Sequence, residues 1–460
     1  MLFSSLEFLC GFLPLTLVLY FLCPMRARNA LLLAVSLLFY ASGEPIYLFL
    51  MILTVAADYM FGRWIEWSIR VSGRGRVPFI FAIFFNLSLL GFFKYYDFFA
   101  SWFGFGVLGL SLPIGISFYT FQAMSYVIDV YRREVRAQKN VVVFGTYVTL
   151  FPQLIAGPIV RYSEIEGQLQ TRTHTLSRVA DGMVTFCAGL AKKVLLANAA
   201  GEICQALRTG APLTTVGAWL WLVAYAFQIY FDFSGYSDMA VGLGRMFGFD
   251  FPENFRYPYM ARSITDFWRR WHITLSSWFR EYVYIPLGGN RRGKWRTYRN
   301  LFITWALTGF WHGAAWNFLL WGIYFFFLLA MEKAFWGQWL ERLPRVVRHG
   351  YALFGILLGW LIFASDGSVD GIRWFCSLFG IGVSAFLDGW TRYELLRNLL
   401  LLIIMAVGAT PFPKRIYQRL YRRERALASG VTTVLCVGAL LLSIAYLADS
   451  GYNPFLYFRF

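Results

Sequence analysis

Long stretches without a single charged side chain dominate this sequence, and they decide its solvent. Phe8–Met25, Val77–Phe93, Phe98–Ile128, Asn140–Val160, Thr209–Phe231, Asn300–Met331, His349–Ser365, Asn398–Pro413 and Ala426–Ala448 contain no Asp, Glu, Lys or Arg. A membrane-spanning helix needs about 20 mostly apolar residues. Shorter runs at Asn29–Gly43, Pro45–Ala57, Gly182–Ala191 and Trp374–Leu387 read as spans or half-spans. The chain is 58% apolar and 15% charged, against about 45–50% and 25% in an ordinary soluble domain. The fold class read from this pattern is an all-α polytopic integral membrane protein with about 11–13 membrane elements. Some are expected to be re-entrant, since Phe98–Ile128 is broken at Leu112-Pro113-Ile114-Gly115. Irregular backbone at that depth is tolerated only where protein buries it.

The charges between the runs set an expected topology. Met1–Ser5 carries no positive charge and no small-residue cleavage site follows, so the start does not read as a cleavable signal peptide. Arg26 and Arg28 follow the first span, which places the N-terminus outside by the positive-inside rule. Arg63, Arg70, Arg74 and Arg76, then Arg132, Arg133, Arg136 and Lys139, read as cytoplasmic; Ser42–Pro45 and Ser101–Ser111 read as external. Lys414–Arg425 carries six basic residues against Glu424 and reads as cytoplasmic, returning Phe460 to the outside. The chain reads as one membrane-embedded domain, 1–460, with N-terminal helices at 1–140, a catalytic core at 141–335 and C-terminal helices at 336–460. Its six cysteines lie scattered in apolar segments without CxxC spacing and read as small core residues.

The net charge of +17 is concentrated. Arg256–Arg299 holds ten Arg/Lys against Asp266 and Glu281, and is rich in Trp (268, 271, 278, 295). One reading is an interfacial segment anchored by Arg and Trp at headgroup level. The functional reading is a re-entrant segment at a cytoplasmic mouth whose positive charge attracts an anionic substrate such as a coenzyme phosphate. The turn Leu287-Gly288-Gly289-Asn290-Arg291-Arg292 suits phosphate contact through backbone N–H groups and guanidinium forks. Arg269, Arg270, Trp271, Asn290 and Arg291 are the candidate substrate- or donor-contacting residues here, with Asp232 upstream and Trp311 downstream. Because the charge sits beside membrane segments, it does not indicate nucleic acid.

Of four histidines, His174 and His349 lie in polar loops and read as solvated. His312 lies within the charge-free run Asn300–Met331, next to Trp311 and followed by Gly313-Ala314-Ala315. An ionisable residue at that depth is a functional candidate by default. The small residues beside it leave room for a cavity, and the structural alternative is a ring bonded to backbone or to Thr308 one turn earlier. His272, in Trp268-Arg269-Arg270-Trp271-His272, is the second candidate: nearby positive charge keeps an imidazole neutral and able to accept a proton. The alternative is a His that caps or stacks in an interfacial helix. Two neutral histidines suit general-base activation of a hydroxyl. They do not suit a metal, since no third ligand appears at helical spacing. Asp232 and Asp238, at the end of the run Thr209–Phe231, read as structural acids paired with Arg245, Arg256 or Arg262, with Asp232 also a candidate for the site.

Four blocks together carry a resemblance: Tyr230–Met246 (YFDFSGYSDMAVGLGRM), Phe249–Tyr259 (FDFPENFRYPY), Ser263–Asn290 (SITDFWRRWHITLSSWFREYVYIPLGGN) and Leu307–Phe318 (LTGFWHGAAWNF). They closely resemble the bacterial membrane-bound O-acyltransferase (MBOAT) family, in its alginate O-acetyltransferase AlgI branch. LPIGISFYTFQAMSYVIDVY at Leu112–Tyr131, FPQLIAGPIVR at Phe151–Arg161 and PFLYFRF at Pro454–Phe460 resemble it too, so the similarity covers nearly the whole chain. One departure is the short loop Thr410–Gly430, where some relatives of that branch carry a long polar insertion; it bears on which polysaccharide is modified. The resemblance implies a many-helix body with re-entrant elements and funnels meeting at a catalytic histidine. By it, His312 matches the family's membrane histidine and His272 its second essential one. It implies acetyl-CoA as acyl donor with no tightly bound cofactor, and a periplasmic SGNH-type acetyltransferase partner. It also implies residence in a bacterial inner membrane and O-acetylation of an exopolysaccharide such as alginate. Acylation of cellulose, peptidoglycan or teichoic acid on the same fold is the nearest alternative. A transport or export subunit without chemistry is the other, which paired broken helices in inverted repeats would support; the sequence has no such repeat.

Overall fold

In the computed structural model, residues 1–155, 157–210, 212–449, 451–454 and 456 are described. Phe460 and most of the last motif lie outside them. Among the described residues the secondary structure is helical apart from one isolated bridge, Thr214 to Ala385. Among the described residues six helices are long and apolar enough to cross a membrane, or seven if one bent pair counts as a single span. That is fewer than the charge-free runs because several runs are split between short helices and turns.

The helices pack into two units, and two of them contribute to both. The first unit comprises 1–186 and 236–252. It contains α1 (Leu13–Leu22), α2 (Arg28–Ala41), α3 (Leu48–Ser72) and α4 (Arg76–Leu90, continuing as one span to Phe103). After the break at Pro113-Ile114-Gly115 come α5 (Ile116–Arg132) and α6 (Val141–Thr149). Gly115 has φ +74°, and a Cβ there would meet the Leu154 carbonyl oxygen at 2.7 Å. Only glycine combines that left-handed conformation with so close an approach. α5 packs against α3 and α4 and is buried on nearly every face although it carries Ser117, Thr120, Gln122, Ser125 and Asp129.

α7 (Leu176–Ala191) begins in the first unit and ends in the second, which comprises 187–235 and 253–460. The second unit continues with α8 (Asn198–Thr209) and the first two-thirds of α9 (Thr215–Met246), whose last turns belong to the first unit. Then come two short helices, α10 (Ile264–Trp268) and α11 (Ile273–Phe279), a hairpin of α12 (Lys294–His312) and α13 (Trp316–Met331), and α14 (Arg345–Ala364). α15 (Gly389–Gly408) and α16 (Phe412–Arg423) form the bent pair, at 64°, before α17 (Arg425–Asp449). Two expectations change here. α9 runs unbroken through Asp232 and Asp238, so neither acid marks a helix end. Of the cysteines only Cys204 is buried and Cys10 is exposed, so core packing does not describe the set.

Candidate active site

The α12–α13 hairpin is built on glycine contact. A Cβ on Gly309 would lie 2.3 Å from the Phe318 carbonyl oxygen, and one on Gly322 would lie 2.4 Å from the Trp305 carbonyl oxygen. The two backbones therefore approach as closely as small residues in membrane helices allow. The run Asn300–Met331 is thus two helices, and His312 is the last residue of the first rather than the middle of one span. It is 5% exposed. Its imidazole lies against Trp311, Trp321 and Phe363, at ring-centroid distances of 5.0, 4.9 and 5.4 Å, all edge-on. Gly313, expected to open a cavity beside the ring, instead makes room for the Phe318 side chain, which a Cβ would meet at 2.3 Å. Thr308, considered as a partner for His312, donates its hydroxyl to the Thr304 carbonyl at 2.8 Å.

One consequence of α12's geometry was not read from the sequence. Asn300, Thr304, Thr308 and His312 recur every four residues, and all four are buried on one helical stripe. The stripe spans about 18 Å at 1.5 Å per residue. At its upper end the Asn300 side chain donates to the Gly289 carbonyl at 3.0 Å, tying it to the Gly288–Gly293 turn. Asn290, Arg291 and Arg292 stand exposed on that turn, and Arg296 and Arg299 on the first turns of α12. The available signal was N-x3-T-x3-T-x3-H inside an otherwise apolar run.

His272 is held by different means. Its backbone has φ +42°, a left-handed conformation costly for a side-chain-bearing residue and typical of functional sites. It is 1% exposed, with Phe233 packed edge-on at 4.7 Å. Asn254 Oδ1 accepts from the Thr274 backbone N–H at 3.3 Å and from the Thr274 hydroxyl at 3.0 Å, and it lies 3.1 Å from His272 Nδ1. Because the Thr274 amide can only donate, that amide fixes the Asn254 carbonyl as acceptor. His272 Nδ1 must then carry its proton, which leaves Nε2 as the basic nitrogen. Burial, and second the nearby His312, push the His272 imidazole well below its usual range. The expected cause was the arginines; in the structure Arg270 is paired with Asp266 at 2.7 Å and Arg269 points to solvent. The Trp311 ring lies 6.2 Å from His272 and 5.0 Å from His312, so one indole touches both histidines.

The α10 start that carries this segment is capped by a residue the sequence did not single out. Buried Glu332 accepts from the backbone N–H groups of Ile264 and Thr265 at 2.6 and 2.9 Å, and from the Thr265 hydroxyl at 2.6 Å. A carboxylate at a helix N-terminus is favoured by the exposed N–H groups there. Trp271 is buried among Tyr230, Phe255, Tyr259, Phe267 and Trp360, a packed aromatic cluster.

Asp232 is fully engaged elsewhere. It pairs with buried Lys193 at 2.9 Å and accepts from the Leu456 backbone N–H at 2.8 Å. Lys193 also donates to Asn198 Oδ1 at 2.9 Å and to the Pro454 carbonyl. The expected partners are occupied otherwise: Arg256 with Glu253, Arg245 with Thr185, and Arg262 exposed. A buried ion pair persists when further hydrogen bonds satisfy both charges, and here the C-terminal segment supplies two. Asp238 is half-buried on α9 in the other unit. His174, read as solvated, is half-buried: Tyr20 Oη lies 2.9 Å from Nε2 and Arg28 3.1 Å from Nδ1. Desolvation and the charge of Arg28 lower its pKa.

Comparison with known proteins fits this architecture to a family. The profile of the membrane-bound O-acyltransferase family matches residues 132–364. The chain is 39% identical to the probable alginate O-acetylase AlgI of Azotobacter vinelandii, with all of both chains covered. The chain belongs to the membrane-bound O-acyltransferase family. It is therefore a multi-pass membrane acyltransferase. The peptidoglycan O-acetyltransferase of Helicobacter pylori is 33% identical over all of this chain and 98% of its own length. The teichoic acid D-alanyltransferase of Streptococcus thermophilus is 31% identical over 50% of this chain and 58% of its own. Both histidine segments and the stripe on α12 lie inside the matched region.

Proposed function

We propose that this MBOAT enzyme takes acetyl from acetyl-CoA on the cytoplasmic side of a bacterial inner membrane for O-acetylation of an exopolysaccharide such as alginate. The observation that carries this reading is the stripe Asn300–Thr304–Thr308–His312, running from an exposed basic turn to a buried histidine. The coenzyme's phosphates meet Asn290, Arg291 and their basic neighbours at the turn. Its pantetheine arm, which needs hydrogen-bonding groups along an otherwise apolar wall, follows the threonines. The thioester reaches His312.

His312 acts as general base. It takes the proton of an acceptor hydroxyl while the oxygen bonds to the thioester carbonyl carbon, and the C–S bond breaks as the thiolate leaves and regains a proton. His272, neutral with Nε2 as its basic nitrogen, shares the Trp311 wall and assists that proton transfer. The N- and C-termini face the periplasm, and an SGNH-type acetyltransferase there passes the acetyl group to the polymer. Full-length similarity to alginate O-acetylases supports the acetyl cargo and the polymer class. Similarity over the whole chain to a peptidoglycan O-acetyltransferase supports peptidoglycan as the second candidate acceptor.

The test is His312→Ala in a strain dependent on this protein, with membrane abundance verified by immunoblot. Polymer-bound acetate is expected to fall at least about 100-fold, the scale of a lost general base. Undiminished acetylation would remove His312 from the mechanism.

A further inference from the structure

A cavity of about 250 Å³ opens on the side of the second unit, away from both histidine segments in sequence. Its wall is apolar, with Phe227 from α9, Leu353 and Leu357 from α14 and Ala406 from α15. It is smaller than the roughly 300 Å³ at which small-molecule pockets begin, and its shape between three apolar helices suits part of one hydrocarbon chain. Few polar groups reach it. The Tyr259 hydroxyl donates to the Ala226 carbonyl and accepts from Trp360, so it is saturated. The Thr410 hydroxyl donates to the Val407 carbonyl and accepts from the Phe412 amide. His349 donates through Nδ1 to the Ala261 carbonyl at 2.9 Å.

Positive charge gathers where these polar residues stand. Arg345 precedes His349 by one turn on the same stripe as Leu353. The Nε of Arg348 is buried without a hydrogen-bond partner. Just past Thr410 the chain bends by 64° into α16, whose first turns carry Lys414 and Arg415. α16 has five basic residues and no acid, while Phe412, Ile416 and Tyr417 are exposed between them. Among the described residues none of Arg345, Arg348, Lys414 and Arg415 forms an ion pair. A basic amphipathic helix turned off the end of an apolar one has the form of an interfacial element at an anionic leaflet.

We propose that this crevice is a binding site for an anionic diacyl phospholipid. One acyl chain lies between α9, α14 and α15. The phosphate sits at the mouth of the slot, where the Arg345, Arg348, Lys414 and Arg415 side chains donate to its oxygens. Charge complementarity selects the occupant: four unpaired cations beside one apolar slot match a headgroup whose net charge is negative, and a zwitterionic lipid would bring its own cation against them.

The full-length protein, reconstituted into vesicles of phosphatidylcholine mixed with phosphatidylglycerol, is extracted gently and its retained lipid is read by native mass spectrometry. The expected result is one retained phosphatidylglycerol, preferred over phosphatidylcholine by about tenfold. The variant carrying R345Q, R348Q, K414Q and R415Q keeps lipid without that preference. A second variant, Ala406→Trp, fills the slot, leaves the cations in place and loses the retained lipid. Equal retention of the two lipids by the unaltered protein would overturn the proposal. So would a preference unchanged in the fourfold variant, or displacement of the retained lipid by soluble acetyl-CoA, which would make the crevice a coenzyme site.

Discussion

The two histidine-bearing segments of the second unit reach similar burial by opposite physical means. Around His272 the chain is irregular, with two short helices, a left-handed backbone at the histidine itself, and polar ties from Asn254 and Glu332. Around His312 the geometry is steric and aromatic. A helical hairpin is closed by Gly309 and Gly322, and aromatic rings wall the imidazole. The difference teaches that one histidine is oriented by hydrogen bonds, which a similar acceptor can replace. The other ends a hairpin packed so tightly that even one methyl group at Gly309 or Gly322 has nowhere to go.

The steric half gives the largest expected effect. Gly309→Val would drive its side chain into the Phe318 carbonyl, a backbone atom that cannot swing aside. A cost on the order of 3 kcal/mol or more is expected, read as loss of folded protein in detergent by size-exclusion chromatography. A normal yield of active Gly309→Val would show that the hairpin is looser than its geometry.

The polar half should respond in graded fashion. Asn254→Leu removes the acceptor shared by three buried donors, at about 1–3 kcal/mol for each group left unsatisfied, and acetyl transfer should drop by roughly 100-fold through lost orientation of His272. Asn254→Asp keeps an acceptor for all three donors and adds negative charge beside the ring. A carboxylate favours the imidazolium, so the His272 pKa rises and the acidic limb of the pH–rate profile moves to higher pH. Activity in Asn254→Asp with an unshifted profile would mean that His272 does not titrate in the reaction.

The smallest effect belongs to His174, outside both segments. Burial and Arg28 hold its pKa below the ordinary 6.5. The unfolded chain therefore binds a proton that the folded one resists. Its contribution is fully present above pH 6.5 and is lost as pH falls from there through the lower folded value. Thermal melts between pH 7.5 and pH 5 should show a steeper decline for the native protein than for His174→Phe, by about 1 kcal/mol or less.

Helix α5 and helix α17 show where sequence reading stops. Both come from charge-poor runs, yet α5 is buried on nearly all sides while α17 buries little beyond Ala428 and Ser443. Hydropathy measures the preference for leaving water, and lipid tails satisfy it as well as protein side chains do. The polar residues on α5 were the available sign of a protein-facing helix. His312 and His272 stood out because an ionisable group is costly in apolar surroundings. Asn254, Glu332 and Lys193 did not, because nothing local distinguishes a buried polar residue from a solvated one until its partner is known.

The sequence by itself determined the membrane class and the family blocks, and it marked the two histidines and the basic turn as candidates, since each depends on composition or on spacing along one element. Tertiary structure decided that Asn300–Met331 is a hairpin ending its first helix at His312. It also decided that Asp232 belongs to Lys193 and the C-terminal segment, and that Trp311 touches both imidazoles. Those facts join residues tens to hundreds of positions apart. Which buried group meets which is set by how helices close on one another, and hydrophobic pattern does not encode that choice.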